Sequence, residues 1–383
     1  MFINLIRLGL LGIPFFIWPG MDTRQPKLFM ALVFSLILGV FAFHKGYFKA
    51  YNNIWILLFL AFIPINFLLS PRVAVKIADI QVASWVLQAF LYILIFFLAH
   101  VALGSYQFSG DDKEKVLKAM VWVGAIMTLY AAAQWFGFEQ FFKGAQGGHY
   151  ATCGTLGTPN LLAPFLAMII PVALYFRKYI QSALMIIVVF LCSSQVGYGA
   201  MIVSLIFLVG TKSKILAIAM SSLFIILFLS LSIGFFTSSK IHNFIGGGTG
   251  SSRFPEWSQM IKDVKDPVLV KGGSKQYAFT GYGLGSFKYL YHSQHNNDWL
   301  ESHNDYIELF YNTGLIGLSL FLIGVGFFIK QCFPLDRLSA HLLASFICVM
   351  VAAGGVFVLQ QGAYIFYLLV FTGLLNQKRG VVA

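Results

Sequence analysis

From Phe2 to Leu375 the chain is a series of apolar stretches, many close to the length of a bilayer-crossing helix, separated by polar or glycine-containing breaks. A helix needs about 20 mostly apolar residues to cross the hydrocarbon core. The stretches read 2–19, 28–44, 54–70, 84–104, 116–136, 160–176, 181–194, 196–211, 214–236, 304–329, 338–358 and 362–377. Apolar residues make up 58% of the chain and charged residues only 10%, against about a quarter charged in soluble domains. That leaves too little polar surface to cover a globular core. A soluble enzyme, a nucleic-acid-binding domain and a disordered chain are excluded. The expectation is an all-α, multi-pass membrane protein with about twelve spans.

Phe2 to Trp18 has the length of a signal peptide, but no small-residue cleavage site follows, so it reads as a retained first helix. The seventh and eighth stretches are short, so their junction at Ser193–Val196 reads as broken or re-entrant, which membranes tolerate only where protein or a watery cavity lines it. The net charge of +12 then reports topology and anionic lipid headgroups. With the N-terminus inside, the cytoplasmic segments hold Lys45, Lys49, Lys113, Lys115, Arg177, Lys178, Lys212, Lys214, Lys330, Arg337, Lys378 and Arg379. The short outer loops hold Arg24, Lys27, Arg72, Lys76 and Lys143. The first set is the larger, so both termini are expected in the cytoplasm. Three regions follow: helices over 1–236, a long outer loop over 237–303, and the last helices over 304–383.

Polar chemistry concentrates in that loop. Residues 253–265 read as an amphipathic helix capped by Ser252, with Phe254, Trp257, Ile261 and Val264 on one face, resting on the outer membrane interface. Arg253 in its first turn is either a snorkelling loop arginine or a diphosphate ligand, since guanidinium and free helix amides both suit that group. His303 lies in Glu301-Ser302-His303-Asn304-Asp305-Tyr306. There Ser302 and Asp305 fit a capping box, which would put His303 on the first exposed turn. It is either an interfacial polar residue or a neutral imidazole able to take a proton from a hydroxyl. Gly314 and Gly317, downstream, suit close helix packing.

Other patterns carry less. Cys153, Cys192, Cys332 and Cys348 form no CxxC pair, so neither a disulfide framework nor a zinc site is indicated. His292, His295, His303 and Asp298 fit no zinc spacing. Gly281-Tyr282-Gly283-Leu284-Gly285 follows no strand and reads as a flexible or tight turn rather than a dinucleotide fingerprint. No Walker A lysine motif and no DxD pair occur, and the stretches hold almost no ionisable residue, where an ion-coupled transporter usually has carboxylates.

Ser302-His303-Asn304-Asp305-Tyr306-Ile307-Glu308-Leu309 through Gly314-Leu315-Ile316-Gly317 resembles the HNxxL…GxxG signature of the O-antigen ligase and polymerase superfamily. Arg253-Phe-Pro-Glu-Trp257, Asp266-Pro267 and Gly281 to Phe287 resemble its R…W…P…GxGxxxF run. Gly154-Thr155-Leu-Gly-Thr-Pro159-Asn160 resembles the segment before its sixth helix. The resemblance covers most of the chain. It implies a GT-C-like fold in the bacterial inner membrane. It also implies a metal-independent, inverting glycosyltransferase without cofactor, acting on the outer face. The donor would be an undecaprenyl-diphosphate-linked glycan, and the acceptor lipid A-core (a ligase) or a growing glycan (a polymerase). Arg253 would hold the diphosphate and His303 would activate or orient the acceptor hydroxyl. Gln195, Asn160, Trp257, Lys288, Asn304 and Asp305 would contribute to substrate binding.

Two positions depart from the family pattern. Gln195 stands at the seventh-to-eighth junction, where the family often has an arginine, which leaves Lys240, Lys271, Lys275 or Lys288 as substitutes. Asn312 stands where a glutamate is common. A lipid-linked-sugar flippase or exporter without chemistry is the alternative from another class; it would want cations along a cavity through the membrane depth.

Overall fold

The computed structural model describes residues 1–16, 24–46, 54–69, 80–138, 152–213, 253–265, 277–287 and 302–376, with isolated positions 215 and 218. It is all-helical among these residues. In chain order the helices are α1 (Phe2–Gly12, continued by a 3-10 turn at Ile13–Phe15), α2 (Arg24–His44), α3 (Ile54–Leu69), α4 (Ile80–Ser105) and α5 (Gly110–Trp135). There follow α6 (Pro159–Tyr175), α7 (Tyr179–Leu191), α8 (Gln195–Gly210), α9 (Arg253–Lys265), α10 (Tyr277–Thr280), α11 (Asp305–Gln331), α12 (Arg337–Ala353) and α13 (Gly362–Asn376). Each apolar stretch of the sequence coincides with a helix, except 214–236, which lies outside the described residues. By length and composition, Gln25–His44, Gly110–Trp135 and Asp305–Gln331 are long and apolar enough to cross a membrane, and shorter apolar helices accompany them.

The middle of the bundle is α6. Its sequence is apolar all round, with Pro159 at its start and Pro164 and Pro171 within, and its residues from Leu161 to Ala173 are all buried. A helix without a polar face can be covered by lipid or by other helices, and here other helices cover it. It is packed by α12, α8, α7 and α5, while α4 joins α2 and α13, and α3 packs against α11. Gly197 of α8 permits one of these crossings: a Cβ there would lie 2.4 Å from the Ala163 Cβ of α6. The seventh-to-eighth junction is a turn at residues 192–194 between two separate helices. Ser193 there has φ +50°, and the Ser194 hydroxyl caps α8 by accepting the Gly197 N–H at 3.3 Å.

Alternation of the helices collects one set of ends together. The segment 152–158, the starts of α8 and α11 and the end of α12 share one end, where His303 lies. Two polar clamps order it. Gln134 accepts the N–H groups of Cys153 and Gly154 through Oε1, at 3.1 and 2.7 Å. Lys27, 2% exposed, donates its ammonium to the Thr155 carbonyl at 2.7 Å. A buried ammonium is costly unless its donors are met, and its helix start therefore fixes that loop.

Candidate functional site

At the His303 end, the apolar face of α9 is turned to protein. Trp257, Met260 and Val264 of α9 pack with Tyr277, Tyr282 and Phe287 against Ile307, Phe310 and Tyr311 of α11. The apolar stripe exists as the sequence suggests, but protein covers it. Ile261 sits half-buried beside it, and Asp263 is buried, with its carboxylate accepting from Gln259 Nε2 at 2.7 Å. The Tyr282 hydroxyl donates to the Asp263 carbonyl at 2.6 Å.

The glycine segment locks this small core to α11 through a break in the helix. Gly314 has φ +64° and ψ −167° inside α11, a conformation that essentially only glycine adopts. The carbonyls released there are used: the N–H of Tyr282 donates to Tyr311 O at 3.0 Å and that of Gly283 to Asn312 O at 2.8 Å. Gly281, at φ +69°, lies so close that a Cβ on it would sit 2.5 Å from Gly314 N. Gly281–Gly285 is thus a tight turn, and Gly314 breaks its helix to receive it. Gly317 allows an approach to Phe62 of α3. Asn312 accepts the Phe287 N–H on its side-chain oxygen at 3.0 Å, a job that needs an acceptor but no charge. Asn66 of α3 donates to the Thr280 carbonyl, tying the same segment to a second helix.

His303 stands just before α11 with φ +52°. The helix cap is Asn304, not Ser302: the Asn304 side-chain oxygen accepts the N–H groups of Tyr306 and Ile307, each at 3.1 Å. Asn and Ser cap about equally well. Here the buried Ser302 hydroxyl is drawn elsewhere, to Asn304 O at 2.7 Å and Glu308 Oε2 at 3.3 Å. His303 therefore precedes the helix in a left-handed turn instead of riding its first turn. Its ring lies 5.0 Å from that of Phe357.

Phe357 begins a strap between α12 and α13, and four hydrogen bonds hold the start of α11 to the end of α12 and to that strap. Asn304 Nδ2 donates to Gly354 O at 2.8 Å. Asp305 accepts the Leu359 N–H at 2.8 Å and Gln360 Nε2 at 3.2 Å, and the same amide reaches Glu308 Oε2 at 3.0 Å. Asp305 and Glu308 are both buried, and the Gln360 amide between them supplies donor hydrogen that two neighbouring carboxylates need. Asn304 and Asp305, expected as substrate ligands, are thus engaged by protein groups.

The link between the two expected catalytic residues runs through Trp257. Its indole N–H donates to the Ser302 carbonyl at 2.8 Å, next to His303. Arg253 starts α9 one turn earlier, about 6 Å along the axis at 1.5 Å per residue. Gln195 is the exposed first residue of α8. Its neighbour Val196 meets Gly355, beside the Gly354 that binds Asn304. Asn160 lies half-buried in the first turn of α6. Lys288, Ser252, His292, His295 and Asp298 lie outside the described residues, as do the side chain of Arg253 and Lys240, Lys271 and Lys275. Among the described residues no group of three or more His, Cys, Asp or Glu is placed to hold a metal ion.

Sequence reasoning passed over Glu308, Phe357 and Gln360. Asp305 and Glu308 stand three apart, hence on one helix face, which was a readable sign. Nothing local marks Gln360 as their partner.

A comparison with curated proteins finds no match. The family model described as O-antigen ligase matches residues 180–322. This interval begins in α7 and takes in α9, the glycine turn, His303 and the break at Gly314, and over it the chain is similar to the O-antigen ligase family.

Proposed function

We propose that the chain is an inner-membrane glycosyltransferase of O-antigen ligase type. It moves a glycan from an undecaprenyl diphosphate carrier to a hydroxyl of lipid A-core on the outer leaflet. The observation that carries this reading is the Trp257–Ser302 hydrogen bond. Within the family-matched interval, it sets the first turn of α9 beside the residue that precedes His303.

In this reading the donor diphosphate lies against Arg253 and the amides of the first turn of α9, where guanidinium and helix N-terminus both favour an anion. His303 accepts the proton of the acceptor hydroxyl. The hydroxyl oxygen attacks the anomeric carbon, the bond from that carbon to the diphosphate oxygen breaks, and configuration inverts. The leaving electrons settle on the lipid diphosphate, whose charge the arginine and nearby lysines meet without a divalent metal. The His303 turn is held from three sides, by Trp257, by Asn304 on Gly354 and by the Phe357 strap, which suits a base that must not wander. Basic residues such as Lys113, Arg177, Lys178, Lys212, Lys330 and Arg337 stand at the opposite ends of their helices. That distribution supports twelve spans with cytoplasmic termini and an outward-facing site.

A repeat-unit polymerase shares the superfamily and the same residues. Purified protein incubated with lipid-linked glycan, alone and with lipid A-core, separates the two. Transfer only to lipid A-core is the expected result. Chain lengthening without that acceptor makes the protein a polymerase. Movement of the lipid-linked glycan across vesicles with no transfer at all would leave a flippase or exporter.

A further inference from the structure

A cleft of about 560 Å³ opens at the end of the bundle opposite His303, among Glu114, Tyr175, Phe176, Arg177, Asp336 and Arg337. It lies where α6 ends and where α5 and α12 begin. Gly354, at the far end of α12, carries the bond to Asn304, so the cleft is about 25 Å from the His303 turn along a helix of 17 residues.

Its two acids are already engaged. Asp336 caps α12, its carboxylate accepting the Ser339 N–H at 2.7 Å. Glu114 pairs with Lys118 at 2.5 Å. The arginines are held differently. Arg337 donates to Tyr175 O at 3.0 Å, and its guanidinium carbon lies 5.5 Å from the Tyr175 ring centre. That bond uses one of five N–H donors, so the group is fixed in place with donors left for an anion. Arg177 occupies the turn between α6 and α7 at φ +58°, a left-handed position that glycine fills with less strain. A cation stands where backbone preference argues against any side chain, and Lys178 follows it directly. Tyr175, Phe176 and Leu338 give the cleft an apolar rim, and exposed apolar side chains stand close to it in sequence, with Tyr179 63% and Ile180 79% exposed just after Arg177 and Phe333 54% exposed just before Asp336.

We propose that this cleft binds the phosphate headgroup of an anionic membrane phospholipid, with Arg177 and Arg337 on the phosphate and the acyl chains against the exposed apolar rim. Cationic clefts between helix ends at the membrane surface suit such headgroups. The bidentate fork of arginine matches a phosphodiester better than a point charge does. The apolar rim is what distinguishes a lipid from a free anion here.

The test uses the full-length protein, purified in detergent and stripped of lipid. Dioleoylphosphatidylglycerol, dioleoylphosphatidylcholine and inorganic phosphate are added separately. Lipid retention is read by native mass spectrometry and stability by the thermal unfolding midpoint. Phosphatidylglycerol should be retained several-fold more than phosphatidylcholine and should raise the midpoint, while inorganic phosphate should not. Arg337→Gln should lose most of that preference, but it also removes a packing contact. Arg177→Gly is therefore the decisive variant: glycine suits the left-handed turn, so the protein should fold at least as well, yet retain several-fold less phosphatidylglycerol. An undiminished preference in a folded Arg177→Gly protein would overturn the site. Equal stabilisation by inorganic phosphate, lost in the same variant, would replace the lipid with a free anion.

Discussion

Replacing Gly314 by alanine puts a methyl group into the contact that holds α9 and the 277–287 segment to α11. The new Cβ would lie 2.3 Å from Phe279 O, 2.4 Å from Phe279 C and 2.5 Å from Gly281 N. All three are backbone atoms, so no side-chain rotation relieves them. The left-handed backbone itself costs about 1–3 kcal/mol for a non-glycine residue, and overpacking about 1–3 kcal/mol more. If the turn is pushed away, the two bonds from Tyr282 and Gly283 to Tyr311 and Asn312 are lost, each with a net contribution of about 0.5–1.5 kcal/mol. These terms overlap, because the chain escapes the clash by giving up the bonds, so the net cost is about 3–5 kcal/mol. That is enough to detach residues 253–287 from α11 while the α6-centred bundle stays folded. Hydrogen–deuterium exchange of the detergent-solubilised protein reads this directly. Protection should fall across α9 and the 281–287 turn, with α6 and α12 unchanged. Gly326→Ala is the control, since nothing lies within 4 Å of its Cβ position in the same helix, and it should gain up to about 1 kcal/mol of helix propensity. Wild-type protection of α9 in Gly314→Ala would refute this anchoring of α9 and the 277–287 segment.

Gln360→Ala leaves Asp305 and Glu308 buried without their shared amide, at a cost of about 1–3 kcal/mol. The Phe357 strap should loosen and His303 should react several-fold faster with diethyl pyrocarbonate, read by peptide mass spectrometry; an unchanged rate contradicts the clamp. Trp257→Phe keeps the ring but removes the N–H on Ser302 O. It should slow glycan transfer by about tenfold or more through misplacement of the site, with donor binding retained. On the proposed mechanism arginine, lysine and helix amides meet the diphosphate charge, so chelation by EDTA should leave transfer intact. Loss restored by one divalent ion contradicts that and brings His292, His295 and Asp298 back as ligands.

The bundle was legible because apolar length is a one-dimensional signal, but its centre was not: α3 is as apolar all round as α6 and keeps Leu58 and Ile65 exposed, because lipid suits such a face as well as protein does. The face of α9 was equally legible, but not what covers it. A stripe through Trp257 and Val264 suits lipid or protein alike, and only the tertiary fold brings Tyr282 and Tyr311 to it. The Ser302–Asp305 capping pattern misled for a related reason. Ser302 and Asn304 are both good caps, and the choice fell to Asn304 because Glu308 and the Asn304 backbone occupy the serine hydroxyl. Gly314 was read as a packing glycine; its real demand is a positive φ, set by a turn more than twenty positions earlier. Gln360 stands some fifty positions from its carboxylate partners, and no local pattern points across that distance. His303 and Arg253 were nameable because each stands in recognisable surroundings, a capping pattern and a helix start, and because the segments around them resemble motifs of the O-antigen ligase superfamily.

The most direct test of the account is the rate of transfer from an undecaprenyl-diphosphate-linked glycan to lipid A-core by four proteins: wild type, Arg253→Lys, His303→Ala and the double variant. Arg253→Lys keeps charge but loses the bidentate fork and should lose much of the rate. His303→Ala should lose about two to four orders of magnitude. If both residues serve one transition state, as proposed, the double variant should be little slower than the slower single variant. Full activity in a well-folded His303→Ala protein, or losses that multiply in the double variant, would contradict a single site built from the α9 start and the turn before α11.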